Sequence, residues 1–582
     1  MLGKRSPQRG LFEADHLYLE HVGRDSFYGF LAGQRGQLFH DADFAAIYCL
    51  DNGRTSVPPS LLATALLLQT YERVSDEEAK ARADFDLRWK VALGLGLDER
   101  PFAKSTLQVF RAQLILHEAV RAVFQQSLTY ARKTGYLKNR QIKAALDTSN
   151  ILGRGAVKDT YNLLGEGIVK LGRVLAKLAG WTLGDWASVH NLSSYVTTTS
   201  LKGEAKVDWE NPKARQQFLT EIVADADRVL ALARQALSDG EPDSAVFAEV
   251  TEAADLLARI LLQDVTRTPD GASIRKGVAP DRIVSTDDPQ MRHGRKSAAK
   301  RFDGHKAAIA VDTETQLITA VTVLSGNAPD NTDARELIEQ TEENAQVVVT
   351  ETMGDCAYGD GATRQEFADA GRTLIAKVPA RPQRSHFPKE DFQIDLATST
   401  CTCPAGQETR VLVRAGTRRD RSGQNVAGQA FQFDGAICGV CPLRDACVAA
   451  GPGKGRTVAL HPQEALLQQA RAFQRSDAFA PYRKLRQVVE HRIARLIQLG
   501  VRQARYFGKV KTLFQLLMAA TVANLTLVAT KIGLMRSRNR PSDPHFALSC
   551  DVTAAFVLLL AMSSISRLGR WVCIHTRQPV SV

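Results

Sequence analysis

Over about the first 135 residues apolar positions recur with the helical period. SLLATALLLQTYERV, LRWKVALGL and STLQVFRAQLILHEAVRAVFQQSL each carry such a stripe, so residues 12–135 are expected to be helical. Val57-Pro58-Pro59-Ser60 combines a breaker with a cap, and Lys104-Ser105-Thr106 before Leu107 offers another N-cap. The short spacing between helices suits a helix-turn-helix-like unit with Lys104 and Arg111 as phosphate or base contacts. A purely structural bundle suits it equally.

The pattern then changes. Residues 141–147 form a short apolar run that ends on Asp147 and is followed by Thr148, Ser149 and Asn150, which reads as a buried strand. Helical periodicity returns from about 155 to 265. Strands resume at 306–312 and 316–324, joined across Thr313-Glu314-Thr315 at hairpin spacing, and so are expected to be antiparallel. A helix at about 332–343 precedes a strand at 346–350, which approaches Asp355; a further helix leads to a strand at 373–379. A polar, Gly-rich region, 395–455, interrupts the core again, and 462–535 is helical. Residues 513–529 are the most apolar stretch, but Gln515, Asn524 and flanking Lys509, Lys511 and Lys531 favour a buried core helix over a membrane span. The closing segment has an apolar centre too short to cross a bilayer and receives no role.

Charge sharpens this picture. The 582 residues carry a net charge of +12, with 44% hydrophobic and 24% charged residues, which excludes disordered and collagen-like classes. Residues 481–540 hold thirteen Lys and Arg but one acid, Glu490. So concentrated a field fits a polyanion, nucleic acid first, or else a solvated face. Arg292, Arg295, Lys296, Lys300, Arg301 and Lys306, with Asp303 among them, form a second basic cluster, expected either to hold DNA phosphates beside the active site or to be an ordinary exposed loop. The N-terminus shows no apolar signal core, so a cytosolic protein without a membrane partner is expected.

Three acids stand apart by position. Asp147 ends the first strand, Asp355 follows a later one in GDCAYGD, and Glu490 stands alone among cations with Arg486 one helical turn before it. Converged, they would hold two hard divalent cations, which take carboxylate oxygens and serve phosphoryl transfer. Each also has a plain alternative: the aspartates as turn or helix caps, Glu490 as a surface pair with Arg486. Asp312 fits a hairpin corner, and Asp360 a turn before the next helix, although it competes with Asp355.

These acids and the words around them resemble bacterial insertion-sequence transposases with a DDE catalytic domain, the family numbered eleven-eighty-two, allied to the insertion-sequence four group. The matching segments include LFHDADFAAIYCLDNGRTSVPPSLLATALLLQ, the strand carrying Asp147, DPQMRHGRKSAAKRFDGHKAAIAVDTETQLITAVTVLSGNAPD, GDCAYGDGATR, CPLRDAC and YRKLRQVVEHRIARLIQLGVRQARYFGKVKTLFQLLMAATVANL. The resemblance implies an α/β protein with an RNase H-like catalytic core. Its parts would be a helical N-terminal DNA-binding domain (1–135), a core (136–395) with a helical insertion (155–265), a Cys-rich insertion (396–455), a helical part carrying the last acid (456–540) and a tail (541–582). It implies Asp147, Asp355 and Glu490 as ligands of two Mg²⁺, with Mn²⁺ as substitute, transposon ends and target DNA as partners, a homodimer, and a nucleoid-associated bacterial cytoplasmic location. The related signature places Arg four before the last acid, which Arg486 matches. It also places Lys seven after, where Ile497 stands, and Tyr three before Arg486, where Arg483 stands beside Tyr482. Arg505, Lys509 and Lys511 are the alternative phosphate contacts.

Nine cysteines are too few for a disulfide scaffold, yet five lie between 401 and 447. Cys438 and Cys441 have chelating C-x-x-C spacing. With Cys403 and Cys447 they would complete a tetrahedral Zn²⁺ site, Cys401 being a spare or substitute; reduced buried thiols are the alternative. Trp181, Trp186 and Trp209 are either core or a stacking platform for an unpaired base. Two rival functions fit the same residues, a metal-dependent nuclease that does not join and a silent DNA-binding protein.

Overall fold

The computed structural model describes residues 1–5, 13–49, 53–239, 245–297, 299–379, 386–419 and 425–535 and is mixed α/β. The closing segment from 541 lies outside the described residues. Seven helices come first: α1 (Ala14–Val22), α2 (Phe27–Leu38), α3 (Pro59–Glu72), α4 (Asp76–Phe85), α5 (Leu87–Leu93), α6 (Lys104–Leu116) and α7 (Val120–Lys133). Pro59 opens α3, where its missing N–H costs nothing. A capping box between Ser75 and Glu78 starts α4. Helix α6 begins earlier than its Ser and Thr suggest, after Ala103, with no side-chain cap.

The first strand, β1 (Gln141–Leu152), runs well past Asp147. The sequence reading ended it at that acid because Thr148, Ser149 and Asn150 look like turn formers. They instead pair with Ala308, Ala307 and Lys306 of a partner strand distant in sequence. An insertion follows, of α8 (Thr160–Leu178), α9 (Leu183–Val189), α10 (Ser193–Thr197), α11 (Leu201–Glu204), α12 (Pro212–Asp239), α13 (Ala245–Asp264) and a hairpin, β2 (Val265–Thr268) and β3 (Gly271–Ile274). The chain returns through β4 (Arg292–Arg295), β5 (Arg301–Asp312), β6 (Ile318–Ser325), α14 (Ala334–Ala345), β7 (Val348–Met353), α15 (Gly361–Asp369) and β8 (Leu374–Ile375). The sheet order is β6-β5-β1-β7-β8, with β4 prolonging the edge beside β5. The pairs β6/β5, β4/β5 and β5/β1 are antiparallel, whereas β1/β7 and β7/β8 are parallel.

Two small sheets make up the Cys-rich region. One contains β9 (Gln393–Asp395), β10 (Thr400–Thr402) and β11 (Glu408–Thr409); the other contains β12 (Leu412–Arg419), β13 (Asn425–Gln432) and β14 (Thr457–Leu460), with the short helices α16 (Gly435–Gly439) and α17 (Arg444–Cys447) between its last two strands. Three long helices follow, α18 (Glu464–Arg475), α19 (Ala480–Gln498) and α20 (Lys509–Lys531). Parallel strands must be covered on both faces, and here helices from both ends of the chain cover them. One apolar core runs from Phe27 through β1, β5 and β7 to Ala529, so the N-terminal helices and the sheet are packed as a unit. The helical insertion and the Cys-rich region each have their own smaller core.

Helix α20 is the expected apolar helix, and it is buried against α7, α3 and β6. Its Asn524 amide accepts from Ile318 N at 2.9 Å, donates to Ile318 O at 2.8 Å and donates to Ser127 Oγ at 3.3 Å. The edge strand β6 is thereby capped from within the core.

Candidate active site

The parallel pair β1/β7 ends with Ala145 opposite Met353. Asp147 and Asp355 each lie two residues further on, and since side chains alternate, both point to the face shared by Ala145 and Met353. Asp355 leaves the strand directly into a short turn, Cys356–Tyr358, and accepts from Ala357 N at 2.8 Å, which fixes its carboxylate as an N-cap. Asp147 accepts from Thr148 N at 2.7 Å.

Helix α19 crosses this face. Tyr482, Arg486 and Glu490 repeat every four residues and form one stripe on it. Arg486 donates to Glu490 Oε1 at 2.6 Å, and its other nitrogen lies 3.9 Å from Asp147 Oδ2. Glu490 is about half exposed, Asp147 mostly covered. Burial pushes the Asp147 carboxyl up to about 6; Asp355 and Glu490 add to that rise, while the Thr148 N–H and Arg486 oppose it. Each acid is therefore within electrostatic reach of Asp147. The three carboxylates are not all within 4.8 Å of one another, and Glu490 is turned to Arg486.

One step back along both strands, Lys143 stands opposite Glu351 on the same face and pairs with it at 2.7 Å. Tyr482 donates to Glu351 at 3.1 Å, and the Lys143 ammonium lies 5.4 Å from the centre of its ring. This clamp holds the first turns of α19 to β1 and β7, so that the following turns deliver Glu490 to the acids. Sequence reading missed Lys143 and Glu351, although their spacing from Asp147 and Asp355, four residues in each case, carries the signal. It also missed Tyr358, fully buried after Asp355, whose hydroxyl has no hydrogen-bond partner. Burial raises that phenol's pKa, with further contributions from Asp147, Asp330 and Asp355. Asp330 itself pairs with Lys306 at 2.7 Å.

The alternative acids occupy the places their sequence context suggests. Asp312 accepts from the Glu314 and Thr315 N–H groups in the β5/β6 hairpin, and Asp360 caps α15 through Ala362 and Thr363 N. Of the basic residues, Arg295, Lys296, Lys300 and Arg301 are exposed on the β4/β5 hairpin, which projects past the end of β1. Arg292 is half-buried and donates to Pro289 O and Met291 O. Lys509 donates to Ser325 Oγ at 2.7 Å, Lys511 is exposed, and Arg505 lies 3.8 Å from Asp76. Arg111 is buried, bidentate to Asp76 and bonded to Tyr506 OH, and so is structural rather than a DNA contact; Lys104 pairs with Glu77. Trp186 is core, Trp209 packs on Tyr161 and Phe218, and Trp181 is half exposed.

Cys403, Cys438, Cys441 and Cys447 line one small cavity, whereas Cys401 is buried within β10. Among the described residues the one triplet of ligand atoms mutually within 4.8 Å is Glu13, Asp15 and His16, and Asp15 is already ion-paired with Arg35.

Two family comparisons bear on this geometry. Residues 402–529, which include α19 and Glu490, match the family described as Transposase DDE domain. Residues 26–113, most of the N-terminal helices, match the family described as Transposase domain (DUF772). Together they support an insertion-sequence transposase, a DNA-transposing enzyme in general terms with DNA as its substrate. No curated protein and no solved structure matches the chain.

Proposed function

We propose that this chain is a transposase that cleaves DNA at the ends of an insertion sequence and joins the freed ends to target DNA, in an RNase H-like core. The observation that carries the reading is that Asp355, just past the end of the parallel neighbour β7, and Glu490, on α19, lie within electrostatic reach of Asp147 on β1, in a chain with two transposase matches. The sheet order, with three antiparallel strands followed by two parallel ones and the first acid on the central strand, supports that reading of the core.

The donor set fits hard divalent ions. It offers carboxylate oxygens only, and their mutual repulsion, which helps hold the Asp147 carboxyl near 6, is what a dication relieves. Bound there, two Mg²⁺ or Mn²⁺ ions would supply activation of the attacking oxygen and stabilisation of the leaving one. The protein's own residues do the rest. Asp355 is held rigid by its N-cap bond, and Asp147 is fixed in mid-strand. Glu490 sits on a helix surface and is the mobile partner, with Arg486 neutralising it and Asp147 until the site is filled. The exposed cations of the β4/β5 hairpin and Lys511 are the residues assigned to the DNA backbone, a role their exposure supports.

Purified protein supplied with Mg²⁺ and end-containing DNA is expected to nick the ends and to form strand-transfer products; Asp355→Ala is expected to bind ends and leave them uncut. Cutting by that variant would remove Asp355 from the assignment. Nicking without joining would favour a nuclease, and end binding without either would favour a silent DNA-binding protein.

A further inference from the structure

We infer that the Cys-rich region is a structural zinc module whose ligands are Cys403, Cys438, Cys441 and Cys447, with Cys401 excluded. Three turns distant in sequence bring these thiols to one place. Cys403 sits in the turn between β10 and β11, closed by Gly406 N donating to Cys403 O at 2.8 Å and by Cys403 N donating to Gln407 O at 2.8 Å; Gly406 takes the positive φ of 78° that this turn requires. Cys438 and Cys441 bracket the end of α16, where Cys441 N donates to Cys438 O at 3.4 Å. Cys447 ends α17, the next turn of chain.

All four line a cavity of about 20 Å³, room for one ion or one water and no more. Cys401 does not line it; it is fully buried on β10 as part of the region's apolar core. The five-way ambiguity of the sequence is thus reduced to four sulfurs, the number a tetrahedral structural zinc takes. No three of these sulfurs lie within 4.8 Å of one another, so binding is coupled to a tightening of the three turns.

Two further features support a metal here. The region's own core comprises seven buried residues, two of them cysteines, around which two three-stranded sheets are arranged. So small a core rarely holds a domain of roughly 70 residues without a staple. The cavity is also lined by Arg444 and Arg456, and Arg456 donates to Cys447 O at 2.7 Å and Phe387 O at 2.8 Å. These cations offset the net double negative charge of a four-thiolate zinc site. Binding changes no oxidation state: four thiols lose their protons to solvent and four S–Zn bonds form.

The inference stands apart from the transposase reading, because its test needs no DNA. Metal analysis of the full-length protein purified without chelator is expected to give one zinc per chain. Replacement by Co²⁺ is expected to give the intense thiolate-to-cobalt absorption and the visible bands of a tetrahedral four-sulfur site. Cys401→Ser is expected to retain both signals, and Cys403→Ser and Cys441→Ser to lose zinc. If either of the latter misfolds, mercurial titration of the wild-type chain serves in their place, with zinc release expected to track modification of four thiols. Well below half an equivalent of zinc in folded wild-type protein would overturn the site. Equal zinc loss in Cys401→Ser, or a cobalt spectrum without thiolate charge transfer, would overturn the ligand assignment. Loss of DNA cleavage with zinc retained would count against the transposase reading alone.

Discussion

Asp147 and Asp355 each stand two residues beyond the last paired rung of β1 and β7, Asp147 still on β1 and Asp355 in the turn that leaves β7. Their carboxylates therefore lie at the same end of the parallel pair, the second one set by the Cys356–Tyr358 turn that it caps. Asp147 is held in mid-strand and Asp355 by its bond from Ala357 N, whereas Glu490 is the most exposed of the three and its carboxylate is held by Arg486.

The first consequence concerns pH. Burial raises the Asp147 carboxyl from 3.8 to about 6, so between those values the folded chain holds a proton that the unfolded chain has released. The contribution of Asp147 to the stability of the metal-free protein is thus fully present below pH 4, declines as pH rises toward 6, and levels off above. Asp147→Asn is expected to stabilise the metal-free protein at pH 8 by about 1–3 kcal/mol, while abolishing cleavage. Urea unfolding at pH 4.5 and pH 8 measures this; a variant less stable than wild type at pH 8 would contradict the buried-charge account.

Arg486 occupies the space between Glu490 and Asp147. Arg486→Gln should let the isolated protein bind Mn²⁺ about tenfold more tightly, equivalent to about 1.4 kcal/mol, while weakening its hold on DNA. Calorimetric titration without DNA reads the first effect. Unchanged or weaker Mn²⁺ binding would show that Arg486 does not compete for the acids.

The clamp of Lys143, Glu351 and Tyr482 sets the pose of α19. Glu351→Ala should cost only about 1 kcal/mol of stability, since the Lys143 pair is partly exposed, yet it should lower cleavage more than tenfold, with partial recovery at high Mg²⁺. Tyr482→Phe, which keeps the ring against Lys143, should behave more mildly. A loss of rate that excess Mg²⁺ leaves unaltered would argue that the clamp does not position Glu490.

Asn524 satisfies both backbone groups of Ile318 inside the core. Asn524→Leu would orphan them, at an expected cost of about 2–3 kcal/mol in chemical denaturation. A neutral substitution would mean that β6 finds other partners.

Much of this was legible in the chain. Short apolar runs marked the core strands and hairpin spacing the antiparallel pair β5/β6, and isolation among cations singled out Glu490. Polar residues after Asp147 misled, because local turn preference says nothing of a partner strand about 150 residues away, and pairing with β5 overrode it. Arg111 was equally unreadable, since a cation on a helix shows its burial only when Asp76 and Tyr506 are in place. Periodicity marks which face is apolar and not what covers it, so the shared core of the N-terminal helices and the sheet emerged only in three dimensions.

The long interval between Asp147 and Glu490 also sets an order in time. At ribosomal speeds of about 5–20 residues per second, the helix bearing the last acid emerges roughly 20–70 s after the strand bearing the first. Even after the helical insertion and the basic β4/β5 hairpin have been made, the nascent polypeptide still lacks the last of the three acids. On the proposed assignment, termination between β5 and α19 leaves a fragment that keeps the hairpin cations but lacks the last acid and so does not cut.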